Sequence, residues 1–332
     1  MNTRRKNFKL LAIIFGLLLM LTACESASST ETATGENKET NSEKTGKVIR
    51  LGYQKGNTLN ILKESRFLEK KLQEDGYEIE WKEFNGGGPL LEALFTGNID
   101  FGHASDGATI FAQAGNKPFV YVGADLPNPE GVGVLVHKDS DIKSIADLKG
   151  KRIGVSKGGN HHYLTILALK EAGISLDDVE WVYLSDAAQG RTAFETKKLD
   201  AFATYDPFLA GTEIQLDTIN LTEGIDYGYP NRTFYVANIK FNEANPELVN
   251  KIIEAIDESD EWANKNKPEV VKLVSAMLGI EEKIIDRATA RRDYNAEKMS
   301  QEIIDAQQKQ ADVYHEIGLI PEKIDVSQNV GK

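Results

Sequence analysis

Downstream of residue 46 the chain alternates short apolar runs with amphipathic stretches. Val48-Ile49-Arg50-Leu51-Gly52-Tyr53 reads as a short strand, and helical spacing follows over roughly residues 58–72. Tyr77 to Phe84 alternates apolar and polar positions at period two, the pattern of a half-buried strand. Gly86-Gly87-Gly88 breaks it, Pro89 suits a first helical turn, and Leu90, Leu91, Leu94 and Phe95 line one helical face. Gly97-Asn98-Ile99-Asp100 turns into another strand. A helix over about 107–114 then leads to the apolar run Phe119-Val120-Tyr121-Val122. Strands alternating with helices predict an α/β domain with a largely parallel sheet.

The rhythm then starts again. Strands are expected over Val132–Val136, Ile153–Val155, Val179–Leu184, Asp200–Thr204 and Thr233–Ala237, with helices over Tyr163–Ala172 and Ala187–Thr196 between them. Beyond Glu243 the pattern is almost wholly helical to about Gly318, with no sheet of its own, and this segment is expected to pack on the first domain. The chain therefore divides into a discontinuous lobe one, 47–134 plus 239–330, and an inserted lobe two, 138–234. Crossover strands fall near Val134–His137 and Tyr235–Ala237. Two α/β lobes joined by two crossovers make a cleft at the carboxyl ends of the strands, where ligands bind in open α/β sheets. Hinges permit closure around a ligand.

The amino-terminal segment changes the picture of where such a domain works. Arg4, Arg5, Lys6 and Lys9 precede the apolar run Leu10–Leu21 and then Leu21-Thr22-Ala23-Cys24. That order reads as a secretory signal over residues 1–23, too short to span a bilayer comfortably. Leu-Thr-Ala-Cys resembles the bacterial lipobox, which implies lipidation of Cys24, the single cysteine of the chain. Residues 24–46 lack aromatic and large aliphatic side chains and read as a disordered tether. The formal net charge is −12, and loss of the four basic residues of the signal takes it to near −16. Such a balance argues against nucleic acid as a partner.

Enzyme signatures are missing from the sequence: no phosphate-binding Gly-x-x-x-x-Gly-Lys loop, no complete dinucleotide fingerprint, no Gly-x-Ser-x-Gly elbow. No catalytic residue and no cofactor are expected. Among the five histidines only His161 and His162 are adjacent. Neighbours on a helix point about 100° apart, so the pair does not converge on a metal ion. The surrounding stretch Ser156-Lys157-Gly158-Gly159-Asn160-His161 suits an anion better. Its glycines let amides turn inward, Asn160 is a candidate N-cap, and a helix start carries free N–H groups. Ser105-Asp106-Gly107 is the counterpart in lobe one, with Ser105 or Asp106 as a plain cap as the alternative. Tyr205-Asp206-Pro207 ends another strand, where Asp206 either serves a ligand or caps the helix that follows.

Several segments taken in order resemble one family. They are Gly52-Tyr53-Gln54-Lys55-Gly56, Leu91-Glu92-Ala93-Leu94 with Gly97–Gly102, Phe111–Ala114, Tyr121-Val122-Gly123, Asp147–Lys151 and Tyr205-Asp206-Pro207. Together they are similar to the aliphatic sulfonate-binding proteins of ABC importers. The resemblance implies a two-lobed type II periplasmic-binding-protein fold. It implies a small anionic organosulfonate as ligand, taurine or an alkanesulfonate, and a membrane permease as partner. The protein is expected as a monomer on the outer face of the bacterial membrane, held through its lipid anchor. Carried over, Gln54, Ser105, Asp106, Gly107, Lys157, Gly158, Gly159, Asn160, His161, Tyr205 and Asp206 would face the ligand. Gly159 and Asn160 stand where the family usually has serines, and Tyr205 replaces tryptophan. Another small anion or heterocycle, such as nitrate or a thiamine pyrimidine precursor, is the alternative cargo, and a cleft hydrolase using His161, His162 and Asp206 is the distant alternative function.

Overall fold

The computed structural model describes residues 47–56 and 58–331. The expected signal segment, the Cys24 anchor and the tether lie outside the described residues. Chain order is β1 (Lys47–Gln54), α1 (Thr58–Ser65), α2 (Phe67–Leu72), β2 (Tyr77–Phe84), α3 (Gly87–Phe95), β3 (Phe101–Ser105), α4 (Asp106–Ala114) and β4 (Phe119–Asp125). Segment 126–131 leads to β5 (Val132–His137), β6 (Arg152–Val155), α5 (Asn160–Glu171), β7 (Glu180–Tyr183), α6 (Ala187–Glu195), β8 (Ala201–Tyr205), α7 (Phe208–Gln215) and β9 (Thr218–Glu223). Segment 224–232 returns to β10 (Thr233–Asn238). Then come α8 (Ile239–Ala244), α9 (Pro246–Lys265), α10 (Lys267–Leu278), α11 (Glu282–Ala290), β11 (Ala296–Glu297) and α12 (Gln301–Glu316).

Two sheets result, ordered β11-β4-β10-β3-β1-β2 and β7-β6-β8-β5-β9. In each, the strands linked through helices run parallel and one interior strand runs antiparallel to both neighbours: the late strand β10 in the first sheet and the earliest strand, β5, in the second. In the first lobe Ile49 and Leu51 of β1 pack with Leu59 and Leu62 of α1 and with Ile252 and Ile256 of α9, all essentially buried. Each such side chain stabilises the fold by about 1.5–3 kcal/mol relative to exposure. Phe101 of β3 stacks on Tyr235 of β10 across the sheet, ring centres 6.1 Å apart.

The lobes share a fastening that the sequence does not advertise. Arg50 on β1 donates to the Asp100 carboxylate through its backbone N–H, Nε and Nη2, at 2.8, 3.1 and 2.9 Å. Arg152 on β6 does the same to Asp200, at 2.8, 3.0 and 2.8 Å. Each clamp ties the first strand of a βαβ unit to the turn feeding its neighbour. The turns correspond as Thr96-Gly97-Asn98-Ile99-Asp100 and Thr196-Lys197-Lys198-Leu199-Asp200.

Three expectations are corrected. The single helix over 58–72 is two helices, broken at Arg66 (φ 57°), which re-aims Leu68 and Leu72 into the cluster under α9. The crossings are not strands. β5 is hydrogen-bonded on both edges within the second sheet and β10 on both edges within the first, so neither is available as a connector. The chain changes sheet in segments 126–131 and 224–232, which moves the boundaries to just before β5 and β10. Finally, the C-terminal helices do not pack on the first lobe alone. α11 docks against α7: Arg287 and Arg291 donate to Glu213 at 2.7 and 2.6 Å, and Gln215 donates to Glu281 at 2.7 Å.

Candidate ligand-binding cleft

β1 ends at Gln54, β3 at Ser105, β6 at Val155 and β8 at Tyr205. The loops after these ends bring the lobes into contact. A Cβ on Gly107 would lie 1.9 Å from the carbonyl oxygen of Gly158. Gly158 itself has φ +76°, and a Cβ there would strike the Phe111 ring at 2.1 Å. Tyr314 of α12 donates from its hydroxyl to the same Gly158 carbonyl, at 3.3 Å. Only glycine fits either position in this closed arrangement.

The loop after β6 is braced by the two histidines. His161 accepts from the Ser156 amide through Nε2 at 2.8 Å, so Nδ1 carries the proton and donates to Asn160 Oδ1 at 3.0 Å. His162 accepts from the Gly158 amide through Nδ1 at 3.0 Å. Burial depresses both, His161 to about 3 with His162 adding to it and His162 to about 4 with Lys157 adding to it. They stay uncharged through the physiological range, and both ring nitrogens of His161 are used within the loop. Gly159, not Asn160, is the N-cap of α5, since Asn160 already has helical geometry. The Asn160 side chain instead reaches the second crossing segment: its Nδ2 donates to Asn231 Oδ1 at 2.8 Å. Asn231 in turn donates to the Asn128 carbonyl, in the first crossing segment, at 2.6 Å. The Asn160 amide finds no backbone acceptor among the described residues. Lys157 is exposed, its ammonium 5.7 Å from the centre of the Tyr183 ring, and it is not drawn into this cluster.

In lobe one Ser105 caps α4, accepting from the Ala108 amide at 3.5 Å. Asp106 is buried. Its carboxylate accepts from the Gly107 amide at 2.6 Å and from the Tyr229 hydroxyl, and burial pushes it up to about 6 against those hydrogen bonds. The start of α4 is thus occupied by its own side chains, so the two turns are not equivalent anion cradles. At the start of α5 the Gly159 and His162 amides donate to the Ser156 and Gly159 carbonyls and the His161 amide to Asn160 Oδ1, which leaves the Asn160 amide as the open donor. Gln54 donates from its side chain to the His103 carbonyl at 3.1 Å, and its backbone amide donates to His103 Nε2 at 3.1 Å.

On the far side, the Tyr205 ring lies 5.4 Å from that of His161. Asp206 accepts from the Ala210 amide at 3.0 Å, capping α7, while its other oxygen lies 3.5 Å from Arg291 Nε. Burial raises Asp206 to about 6, Arg291 opposing it. The sequence reading missed Asn128, Asn231, His103 and Arg291. Three of these carried a signal: Asn128-Pro129 and Pro230-Asn231 are the turn-forming dipeptides of the crossings, and Arg291-Arg292 is a basic doublet in an acidic chain. No group of three or more histidine, cysteine or acidic side chains is placed to hold a metal ion among the described residues.

Two α/β lobes closed over a polar crevice at their strand ends define a solute-binding protein of the periplasmic-binding-protein fold. Comparison gives the lineage: a family model described as NMT1/THI5 like matches residues 72–270. A putative aliphatic sulfonates-binding protein of Escherichia coli K12 is 33% identical over 290 residues, 87% of this chain and 90% of that one. The solved periplasmic aliphatic sulphonate binding protein SsuA of Escherichia coli superposes with a TM-score of 0.81 at 32% identity, over 86% of this chain and 92% of that one. SsuA of Xanthomonas axonopodis pv. citri, solved bound to MOPS, gives 0.80 at 31% identity, over 85% and 97%. The chain belongs to the NMT1/THI5-like family, among relatives that include the aliphatic sulfonate-binding proteins.

Proposed function

We propose that this protein is the extracytoplasmic receptor of an ABC importer for aliphatic sulfonates, tethered to the membrane through lipidated Cys24 and handing its ligand to a permease. The observation that carries the reading is the loop 156–160. It presents a helix start at the strand ends, and two uncharged imidazoles hold its amides in place. A sulfonate needs N–H donors and no proton transfer, and the start of α5 supplies the Asn160 amide together with about half a unit of positive charge. Asn160 extends the donor set and links it to both crossing segments, so ligand contact and lobe closure are coupled. Gln54, Ser105, Tyr205 and Asp206 complete the crevice in this reading, with Asp206 suited to a ligand amine. The relatives' names support the cargo class. The mechanism is capture without turnover: ligand bridging the lobes favours the closed form, which a permease then reads.

The test is calorimetric titration with taurine, methanesulfonate, longer alkanesulfonates, sulfate, nitrate and small carboxylates. Sulfonates are expected to bind in the micromolar range or tighter, and Asn160→Ala to weaken them at least tenfold with the fold intact. If no sulfonate binds more tightly than about millimolar, roughly 4 kcal/mol, the reading fails. Preferential binding of nitrate or of a heterocycle would keep the receptor and replace its cargo.

A further inference from the structure

The peptide group between Gly158 and Gly159 has a glycine on each side, so no side chain restricts its rotation. Its orientation governs where the next amide, that of Asn160, points. The second lobe holds its surroundings: the Gly159 amide donates to the Ser156 carbonyl at 3.0 Å, and the Gly159 carbonyl accepts from the His162 and Tyr163 amides at 3.0 and 3.1 Å. The Gly158 carbonyl, in contrast, is held from the first lobe, by the Tyr314 hydroxyl of α12 at 3.3 Å. That hydroxyl is itself fixed. Gln310, on the same helix, donates to it from Nε2 at 3.1 Å, which leaves the hydroxyl proton for Gly158. The ring is fully buried and packs against Phe111 of α4 and Tyr163 of α5, with ring centres 5.6 Å apart in each case. Burial and the nearby Asp106 hold Tyr314 well above the ordinary tyrosine range, so the proton stays on. α12 is anchored to the first lobe through Gln307, which donates to the Asp106 carbonyl at 2.9 Å and to the Thr109 hydroxyl at 3.0 Å. A second contact joins α5 and α12 at the surface, away from the loop: Lys170 donates to the Glu316 carboxylate at 3.0 Å.

We propose that Tyr314 is a positioning residue of the ligand-binding loop: reaching across the lobe interface, its hydroxyl fixes the Gly158 carbonyl and so aims the Asn160 amide at the bound anion. The inference rests on the sulfonate-receptor reading and adds to it a residue 156 positions further along the chain than Gly158. The first lobe then completes the donor geometry of the second only when the two are closed. Parting the lobes withdraws the hydroxyl and lets the glycine-flanked peptide turn, which loosens the hold on the anion.

The experiment compares the full chain with Tyr314→Phe, which keeps the ring and removes the hydroxyl, using taurine and methanesulfonate as ligands. Stopped-flow measurement is expected to show dissociation about tenfold faster with association within about twofold. The ligand-free variant should melt within a few degrees of the parent. Hydrogen exchange in the complex separates positioning from packing: protection of the Asn160 amide should fall while that of Leu169, further along α5, is kept. Gln310→Leu frees the hydroxyl to turn away and should give the same pattern at about threefold; it serves if Tyr314→Phe does not fold. Lys170→Ala removes the surface contact between the same two helices and should leave dissociation within about twofold. Parent-like dissociation from Tyr314→Phe, protection lost evenly along α5, or an effect of Lys170→Ala as large as that of Tyr314→Phe would each overturn the proposal. Those outcomes leave the sulfonate reading standing as long as the parent binds a sulfonate. Failure of every sulfonate removes both.

Discussion

Gly107 and Gly158 set how closely the lobes approach. A methyl group on Gly107 would overlap the Gly158 carbonyl, so it acts as a wedge in the closed state and meets nothing comparable once the lobes part. Gly107→Ala is expected to lower ligand affinity at least tenfold while shifting the melting temperature by only a few degrees. Calorimetry with small-angle scattering checks this, and an unchanged affinity would mean the lobes do not need this contact. His103 gives a second test. Burial lowers it to about 3, against an ordinary value near 6.5. Its contribution to stability is therefore complete above pH 6.5 and is lost as the pH falls towards 3. Between pH 7.5 and 5.5 the parent should lose about 1.4 kcal/mol relative to His103→Gln in urea unfolding, one pH unit below the ordinary value. The adjacent histidines were visible in the sequence. Their bracing of the loop was not, because it depends on which backbone amides the turn aims at each ring nitrogen. Likewise Asn160 was singled out as a cap, and only the folded crossing segments disclose its partner Asn231.

At the scale of elements, periodicity revealed most strands and helices, since burial on one face leaves a period of two or 3.6. It could not reveal pairing. β5 and β10 look like connectors in a linear pattern, but each is an interior strand. Nor could it assign α11 to the second lobe, because the contact is made by charged side chains on its exposed face. Glu213 receives both Arg287 and Arg291, and the Arg291–Glu213 pair is only about a tenth exposed, at 10% and 11%. Glu213→Gln leaves Arg291 without its full partner. It is expected to weaken ligand binding about tenfold by loosening α7 from α11, with little change when 0.5 M salt is added to the variant. Parent-like affinity in the variant would show that the pair does not contribute to closure.

At the scale of the molecule, the acidic balance and the polar segment before residue 47 are the parts read from sequence alone. Cys24→Ser is expected to move the protein from the membrane fraction to the soluble fraction of cells without altering its sulfonate affinity. Retention on membranes would refute the lipid anchor. The order of strands bears on how such a protein is made. β10 lies between β3 and β4 in the first sheet, yet the ribosome delivers it only after the whole of lobe two. Until then β3 and β4 have no strand between them, and the nascent first lobe stays open along its middle. Pairings this distant in sequence form slowly. A polypeptide that completes its first sheet so late remains threadable through a translocation channel for most of its synthesis, and it has no closed cleft in which to trap cargo on the wrong side of the membrane.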